Sequence, residues 1–321
     1  MKESVKPRYV DRSNDIVYRP PYLQSQTKLT GWPLAADQTK LQAVCDNALN
    51  QPSGGAVDYR ALFGCVFVVL ADIARVTSLD PRDAQRGWVP EQDICFWILT
   101  GAYKNDQLDH LAFYIPYIWV TNAYTMATGR EAFGYPKSFG WANMAASPDD
   151  LGPLWADGMV IPEYTPETEV SRQRLLTLTR GELLRGSPGP GFGAGEGHLA
   201  VKSVLDHLIP RYGSNKVDWD KVRKLADGMA LPMVFLKQFR DCTDPTAACY
   251  QAIIEANATV TDFKKLKMLP STWNLNLRQY ASAKVIDDLG VAADTPTLGF
   301  GVWIEYSFSM DLGREVWRAG T

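Results

Sequence analysis

The stretch NAYTMATGREAFGYPK, residues 122–137, continues as SFGW to residue 141 and carries most of the information in this sequence. Residues 129–141 are dense in glycine and proline, which predicts a structured turn or loop. Aromatic residues and a proline surround Lys137, namely Phe133, Tyr135, Pro136, Phe139 and Trp141. A lysine after a proline is ordinarily a partly exposed turn residue, so Lys137 alone does not indicate a function.

The spacing of the whole stretch is more informative than the lysine. Asn122, the triplet Gly129-Arg130-Glu131 and the ending Tyr135-Pro136-Lys137 fall, without gaps, where the active-site signature of the acetoacetate decarboxylase-like superfamily has them. The sequence therefore resembles that superfamily, in which the lysine forms a Schiff base with the substrate. Weaker similarities follow in the same order at Pro21-Tyr22, at the segment containing Glu91 and at Arg314-Glu315-Val316.

The resemblance covers roughly residues 20–321, apart from an insertion near residues 186–230. It implies a β-dominated α+β fold, an antiparallel β-cone or barrel-like sheet with peripheral helices, a helical insertion and the lysine inside the cone. We expect residues 1–20 to form an N-terminal arm and residues 21–321 to form a single domain. No βαβ alternation is visible, which argues against a doubly wound sheet.

Hydrophobic and β-branched runs predict strands, and three- to four-residue periodicity predicts helices. Pro116 predicts a bulge or an edge in its strand, and the glycine-rich segment 186–197 predicts a flexible surface loop. The predicted strands are Arg60–Val76, Ile94–Gly101, Leu111–Thr121, Met233–Phe239, Ala248–Val260, Thr272–Leu277 and Leu298–Phe308. The predicted helices are Thr39–Leu49, Leu199–Leu208 and Trp219–Met229.

Composition narrows the classes of function. The net charge of −3 and the lack of a long basic run argue against a nucleic-acid partner or an anionic membrane surface. Five cysteines without a CxxC pair, and no apolar core of a secretion signal near the start, favour reduced thiols in a cytoplasmic protein. The three histidines lack ligand spacing, so we expect no metal and no other cofactor.

Schiff-base chemistry requires an unprotonated amine. An ordinary lysine has a pKa of about 10.4, so near pH 7 only about one in 2,500 is neutral. Burial can lower that pKa by ~3–5, and the apolar neighbours of Lys137 suit this role. The decarboxylases of the family carry a second lysine directly after the first, but Ser138 stands there in this chain. The sequence therefore predicts a pKa depressed by desolvation alone.

The resemblance also assigns partners to the lysine. Ungapped comparison places the family's arginine at Thr27 and its first glutamate at Val68, whereas its second glutamate matches Glu91. Loss of an arginine and a carboxylate weakens the case for decarboxylation of acetoacetate. We therefore take Glu91 as the candidate acid or base beside Lys137, with a surface carboxylate at a strand start as the alternative.

Further candidates for substrate binding are Arg130, Glu131, Tyr135, Glu305 and Tyr306. For Arg130 and Glu131 the alternative is a structural ion pair, and for Glu305 and Tyr306 it is an ordinary strand position. The resemblance implies a lyase acting on a small keto acid or other carbonyl substrate, either a decarboxylase or an aldolase-dehydratase. The alternative is a non-catalytic small-molecule binding protein on the same fold. The resemblance, with many aromatic residues available for interfaces, also implies a homo-oligomer.

Overall fold

The structure is a computed structural model, and it describes residues 7–149, 152–183, 191–227, 230–269, 271–298 and 300–320. The described residues form five α-helices and fifteen strands. The helices are α1 Gln38–Cys45, continued by a π-helical turn over Asp46–Asn50, α2 Ala123–Ala132, α3 Gly197–Tyr212, α4 Trp219–Ala226 and α5 Val285–Leu289. The strands are β1 Tyr22–Ala35, β2 Tyr59–Ala61, β3 Cys65–Ser78, β4 Val89–Lys104, β5 Gln107–Val120, β6 Lys137–Asn143, β7 Leu154–Val160, β8 Ser171–Leu183, β9 Gly191–Phe192, β10 Ala230–Arg240, β11 Ala248–Leu269, β12 Ser271–Leu277, β13 Asp294–Leu298, β14 Gly301–Met310 and β15 Arg314–Arg318.

Seven of the strands close a ring. Their hydrogen-bonded order is β5-β10-β11-β14-β1-β3-β4, and β4 pairs with β5 again. From β5 the sheet also runs outward through β6, β7, β8, β12 and β13. The pairings are antiparallel except that β5 is parallel to both β10 and β6. The predicted β-dominated, cone-like fold is confirmed.

Strand alternation separates two cores, because successive side chains of a strand point to opposite faces. On β4, Ile94, Phe96 and Ile98 pack in one core, while Cys95 and the ring of Trp97 pack in the other. Met233, Phe235 and Met310 from other strands of the ring join the second core. This second core surrounds the cavity described below.

Several strands differ in extent from their predictions. The predicted strand Arg60–Val76 is two strands, because Gly64 donates its N–H to the carbonyl of Tyr212 and accepts from Ala36 instead of joining the sheet. The predicted strand Ala248–Val260 runs on to Leu269, with register shifts after Val260 and Phe263 that obscure its alternation. The predicted strand Leu298–Phe308 is also two strands, since β13 pairs with β12 whereas β14 pairs with β1 and β11.

The segment 129–141 is also more regular than predicted. Gly129 to Ala132 complete α2, and Lys137 already begins β6, so only residues 133–136 form a turn. The turn is closed by the carbonyl of Gly129, which accepts from the backbone N–H groups of Phe133, Gly134 and Tyr135 at 3.3, 3.1 and 3.2 Å. The predicted bulge at Pro116 is confirmed, because the pairing of β5 with β4 shifts register between Tyr114 and Tyr117.

The helices follow their predictions closely. Asp37 caps α1 by accepting from the N–H groups of Thr39 and Lys40, and Asp218 caps α4 by accepting from Lys221. Residues 186–190 of the predicted loop lie outside the described residues, whereas Gly191–Phe192 pair with β11 and Gly197 begins α3. Within the described ranges, no helix has the length and apolar character needed to cross a membrane.

Candidate active site

Lys137 lies at the start of β6 and points into the ring. Its side chain is buried, and its Nζ donates to Oε1 of Glu91 at 2.5 Å and, more weakly, to the carbonyl of Thr125 at 3.4 Å. Glu91 lies on β4 and is only 3% exposed. A lysine at the end of a Gly-Pro turn is thus brought to a buried carboxylate that is 46 residues away in the sequence. The alternative of an exposed turn lysine does not hold.

Residues of the motif explain how Lys137 and Glu91 are brought into contact. The side chain of Asn122 accepts from the N–H of Tyr124, which caps α2, and donates to the carbonyl of Pro90 at 3.0 Å, next to Glu91. At Gly129, a Cβ would lie 2.8 Å from Cδ and 2.9 Å from Cε of Lys137. Only glycine lets α2 pass this close to the lysine side chain.

Gly134 is also required for a steric reason. Its φ of +95° is one that residues with a side chain rarely adopt, and a Cβ there would lie 2.5 Å from the Cα of Lys237. Without a side chain at Gly134, the turn packs directly against β10, and the chain continues into β6 at Lys137. The glycines of the motif are needed for close approach rather than for flexibility.

Arg130 and Glu131 lie outside the cavity. Arg130 is exposed and donates from Nη1 to the carbonyl oxygen of Lys137 at 3.0 Å, which fixes the backbone from which the lysine projects. Glu131 hydrogen-bonds to Tyr9, and together with burial it raises the pKa of that phenol to about 12. The structure thus gives both residues a supporting position and does not bring either to the cavity wall.

Asp93 is a second carboxyl group at the lysine. It shares the cavity face of β4 with Glu91, because residues two apart on a strand point the same way. Burial raises the pKa of Asp93 well above its usual range, and the charge of Glu91 and a hydrogen bond to it act in the same direction. Burial therefore favours the neutral form of Asp93. Sequence reasoning missed it, although the spacing Glu91-Gln92-Asp93, directly before the predicted strand Ile94–Gly101, carried the signal.

The pKa of Lys137 differs from its prediction. Burial lowers this pKa, as expected, but the nearby carboxyl groups of Glu91 and Asp93 raise it by more, and the net direction is upward. In the absence of substrate Lys137 is therefore an ammonium group paired with Glu91. The prediction of a pKa set by desolvation alone is wrong, because it took no account of how close Glu91 lies.

The lysine opens onto a cavity of about 220 Å³ inside the ring. Its walls come from strands of the ring, from α2, from Tyr18 before β1, and from Val201 and Ala226 in α3 and α4. Among the described lining residues, the ionisable acids and bases besides tyrosine and cysteine are Glu91, Asp93 and Lys137. Nine lining residues are aromatic: Tyr18, Tyr22, Trp97, Phe113, Tyr124, Phe133, Tyr135, Tyr306 and Phe308.

The two tyrosines named as candidates lie in this wall. The ring centroid of Tyr135 is 5.1 Å from Nζ of Lys137, and Tyr306 stacks on Phe308 with 5.3 Å between their centroids. Burial raises the pKa of both phenols, so both stay protonated at neutral pH. Glu305 alternates to the other face of β14, where it lies 3.8 Å from Nζ of Lys265. The structure does not bring Glu305 to the cavity.

The positions assigned by ungapped comparison also need correction. Thr27 and Val68 are buried but do not line the cavity. On the same two strands the cavity is lined by Gln24 and Val76, which are direct partners in the pairing of β1 with β3. Gln26, with φ of +56°, marks an irregularity in β1, and a register shift between Ile73 and Val76 marks another in β3, so ungapped counting does not follow the alternation of either strand.

Only some of the aromatic residues that surround Lys137 in the sequence line the cavity. Phe133 and Tyr135 line the cavity. Phe139 and Trp141 pack against each other on β6, with 5.0 Å between their ring centroids, and neither these two residues nor Ser138 line the described cavity wall. Only part of the aromatic cluster seen in the sequence excludes water from Lys137.

Comparison with known proteins identifies the fold. No protein-family model and no curated protein sequence matches this chain. Among solved structures, acetoacetate decarboxylase from Legionella pneumophila is similar with a TM-score of 0.61 and 14% identity, over 100% of this chain and 95% of that one. MppR, an enduracididine biosynthesis enzyme complexed with pyruvate, gives 0.55 and 13%, over 95% and 93% of the two chains.

An acetoacetate decarboxylase-like enzyme from Sphingomonas wittichii RW1 gives a TM-score of 0.54 and 13% identity, over 94% of this chain and 95% of that one. The chain therefore has the acetoacetate decarboxylase-like fold along its whole length, as the motif predicted. At these identities the similarity establishes the fold alone.

Proposed function

We propose that this protein is a Schiff-base enzyme in which Nζ of Lys137 attacks the carbonyl carbon of a small substrate, with Glu91 as the acid and base. The observation that carries the proposal is the 2.5 Å contact between Nζ and Glu91 at the wall of an apolar cavity. A buried lysine paired with one carboxylate has a proton acceptor within reach, and it faces a space from which water is largely excluded.

The first step is a proton transfer from Lys137 to Glu91 as the carbonyl compound enters. The neutral amine then forms the C–N bond as the C=O π bond breaks, and the oxygen takes up a proton from the attacking nitrogen to give a neutral carbinolamine. Glu91, now protonated, returns its proton to that hydroxyl group, which leaves as water while the nitrogen lone pair forms the C=N bond. The product is a cationic iminium beside an ionised Glu91. The net charge of the two groups is therefore zero in every step.

The iminium withdraws electrons from the neighbouring carbon. Glu91 can then accept a proton from that carbon to give an enamine, which is the intermediate shared by aldol addition, dehydration and decarboxylation. Asp93, whose pKa burial raises well above its usual range, places a second carboxyl group on the same face of β4 as Glu91. The known structures with this fold include a named decarboxylase and an enzyme complexed with pyruvate, which supports carbonyl chemistry without fixing the reaction.

Exchange of α-hydrogens tests this proposal without knowledge of the substrate. A simple ketone such as phenylacetone is incubated with the protein in D2O, and loss of its α-hydrogens is followed by NMR. We expect exchange well above the buffer rate for the wild-type protein and for the control Ser138→Ala. Lys137→Met and Glu91→Gln should both abolish exchange. Because burial lowers the pKa of Lys137 and Glu91 raises it, Glu91→Gln favours the neutral amine and should still form, more slowly, an adduct reducible by cyanoborohydride.

The non-catalytic alternative predicts a different pattern. A binding protein on this fold would retain the ketone, as measured by ligand-observed NMR, yet leave its α-hydrogens unexchanged. Exchange that survives in Lys137→Met at the wild-type rate would contradict the proposed role of the lysine.

A further inference from the structure

The charge of the cavity wall restricts what the cavity can hold. Among the described lining residues the positive charge comes from Lys137, and it is already matched by Glu91. Two arginines of the sheet, Arg60 on β2 and Arg75 on β3, are engaged outside the cavity. Arg60 pairs with Asp58 and Asp106, and Arg75 stacks on Trp88 at 4.7 Å.

A substrate carboxylate would therefore add an unmatched charge. Once the iminium has formed, its positive charge is balanced by Glu91, and Asp93 offers only a neutral carboxyl group or a second negative charge. Leaving an uncompensated charge in a buried apolar site is strongly unfavourable. Two acidic side chains beside the lysine oppose the binding of a keto acid instead of helping it.

The shape and lining of the cavity favour a ring. A dry cavity of about 150 Å³ is enough to hold benzene, so about 220 Å³ leaves room for one six-membered ring and a short carbonyl chain. The rings of Trp97 and Phe113, with centroids 5.1 Å apart, and the stacked pair Tyr306 and Phe308 present aromatic surface to that space. Aromatic pairs gain from edge and offset-stacked contacts beyond the burial of area.

We propose that the site takes a neutral carbonyl compound carrying a single aromatic or similarly apolar ring, and that it discriminates against keto acids. This inference rests on the proposed Schiff base at Lys137. It departs from the small keto acid that the sequence suggested as a possible substrate, because the described cavity wall has no cation besides the paired Lys137 to receive the carboxylate.

Reductive trapping of matched probes tests the inference. Phenylpyruvate and its methyl ester differ in charge but share ring and keto group, and methyl pyruvate lacks the ring. Each is incubated with the protein and cyanoborohydride, the rate of adduct formation on Lys137 is measured by mass spectrometry, and each rate is divided by that of a simple alkylamine under the same conditions. We expect methyl phenylpyruvate to react at least about tenfold faster than either other probe.

The outcomes separate this inference from the proposed function. Adduct on Lys137 with phenylpyruvate as fast as with its ester would overturn the discrimination against acids while leaving the Schiff base intact. Equal rates for the two esters would overturn the preference for a ring. No adduct on Lys137 with any probe would contradict the proposed function itself.

A second experiment adds a positive charge to the cavity wall. Gln24 lines the cavity on β1, so Gln24→Arg supplies a cation to the wall, and Gln24→Met is the control of similar size without charge. We expect the ratio of acid to ester trapping to rise at least about tenfold in Gln24→Arg and to stay unchanged in Gln24→Met. Should Gln24→Arg fail to fold, Val76→Arg places the charge at the paired position on β3. An unchanged ratio in a folded arginine variant would refute the inference.

Discussion

Gly129→Ala is the substitution that most sharply probes how Lys137 is held. The new Cβ would lie 2.8 Å from Cδ, 2.9 Å from Cε and 3.2 Å from Nζ of the lysine, with no backbone atom among these nearest contacts. The flexible side chain of Lys137 therefore shifts, and its Nζ moves away from Glu91. Overpacking of this kind costs about 1–3 kcal/mol, while replacing glycine by alanine in a helix gains up to about 1 kcal/mol.

The two effects leave a net loss of stability of about 0–3 kcal/mol, which urea unfolding measures. A displacement of a reacting group by about 1 Å can cost 100-fold in rate, so we expect cyanoborohydride trapping on Lys137 to fall about 100-fold in a protein that is still folded. Gly31→Ala is the matched control, because its Cβ would meet no atom closer than 3.5 Å. Trapping at the wild-type rate in folded Gly129→Ala would refute the idea that close approach of α2 positions the lysine.

Two further substitutions test the acidic pair and the turn. Asp93 has a pKa raised above its unfolded value, so between those two values the folded state binds one proton more and stability falls as pH rises. Asp93→Asn removes this dependence of stability on pH. The free energy of unfolding of the variant, relative to that of the wild type, should therefore rise by about 1.4 kcal/mol per pH unit above pH 4. If the two pH profiles of urea unfolding are parallel instead, Asp93 is ionised in the folded protein. Gly134→Ala meets backbone atoms of β10 and a φ of +95°, so it should destabilise the fold by more than Gly129→Ala, and an unfolding midpoint equal to wild type would contradict the steric reason for this glycine.

The sequence was sufficient for features that depend on local pattern and motif spacing. Hydrophobic runs located most strands, Pro116 located a bulge, and the spacing from Asn122 to Lys137 indicated the fold that the structural comparisons confirm. It could not give the extent of β11, because two register shifts interrupt the alternation beyond Val260.

Features that depend on contacts between distant segments were harder to predict. The direction of the pKa of Lys137 depends on Glu91 and Asp93, which come from another strand of the ring and outweigh burial. The positions that line the cavity on β1 and β3 depend on irregularities between Gln24 and Thr27 and between Ile73 and Val76, so counting from distant anchors selected buried residues outside the cavity. Glu305 and Tyr306 are neighbours in sequence, yet strand alternation sends only Tyr306 to the cavity.

The central claim is a covalent bond between Nζ of Lys137 and a substrate carbon. The most direct measurement is peptide mapping after the protein has been incubated with methyl phenylpyruvate and cyanoborohydride, with Lys137→Met alongside. The proposed Schiff base predicts one added substrate mass, located on Lys137 and missing from the variant. A folded wild-type protein that gains no mass, or gains it equally on another lysine in both proteins, would contradict the claim.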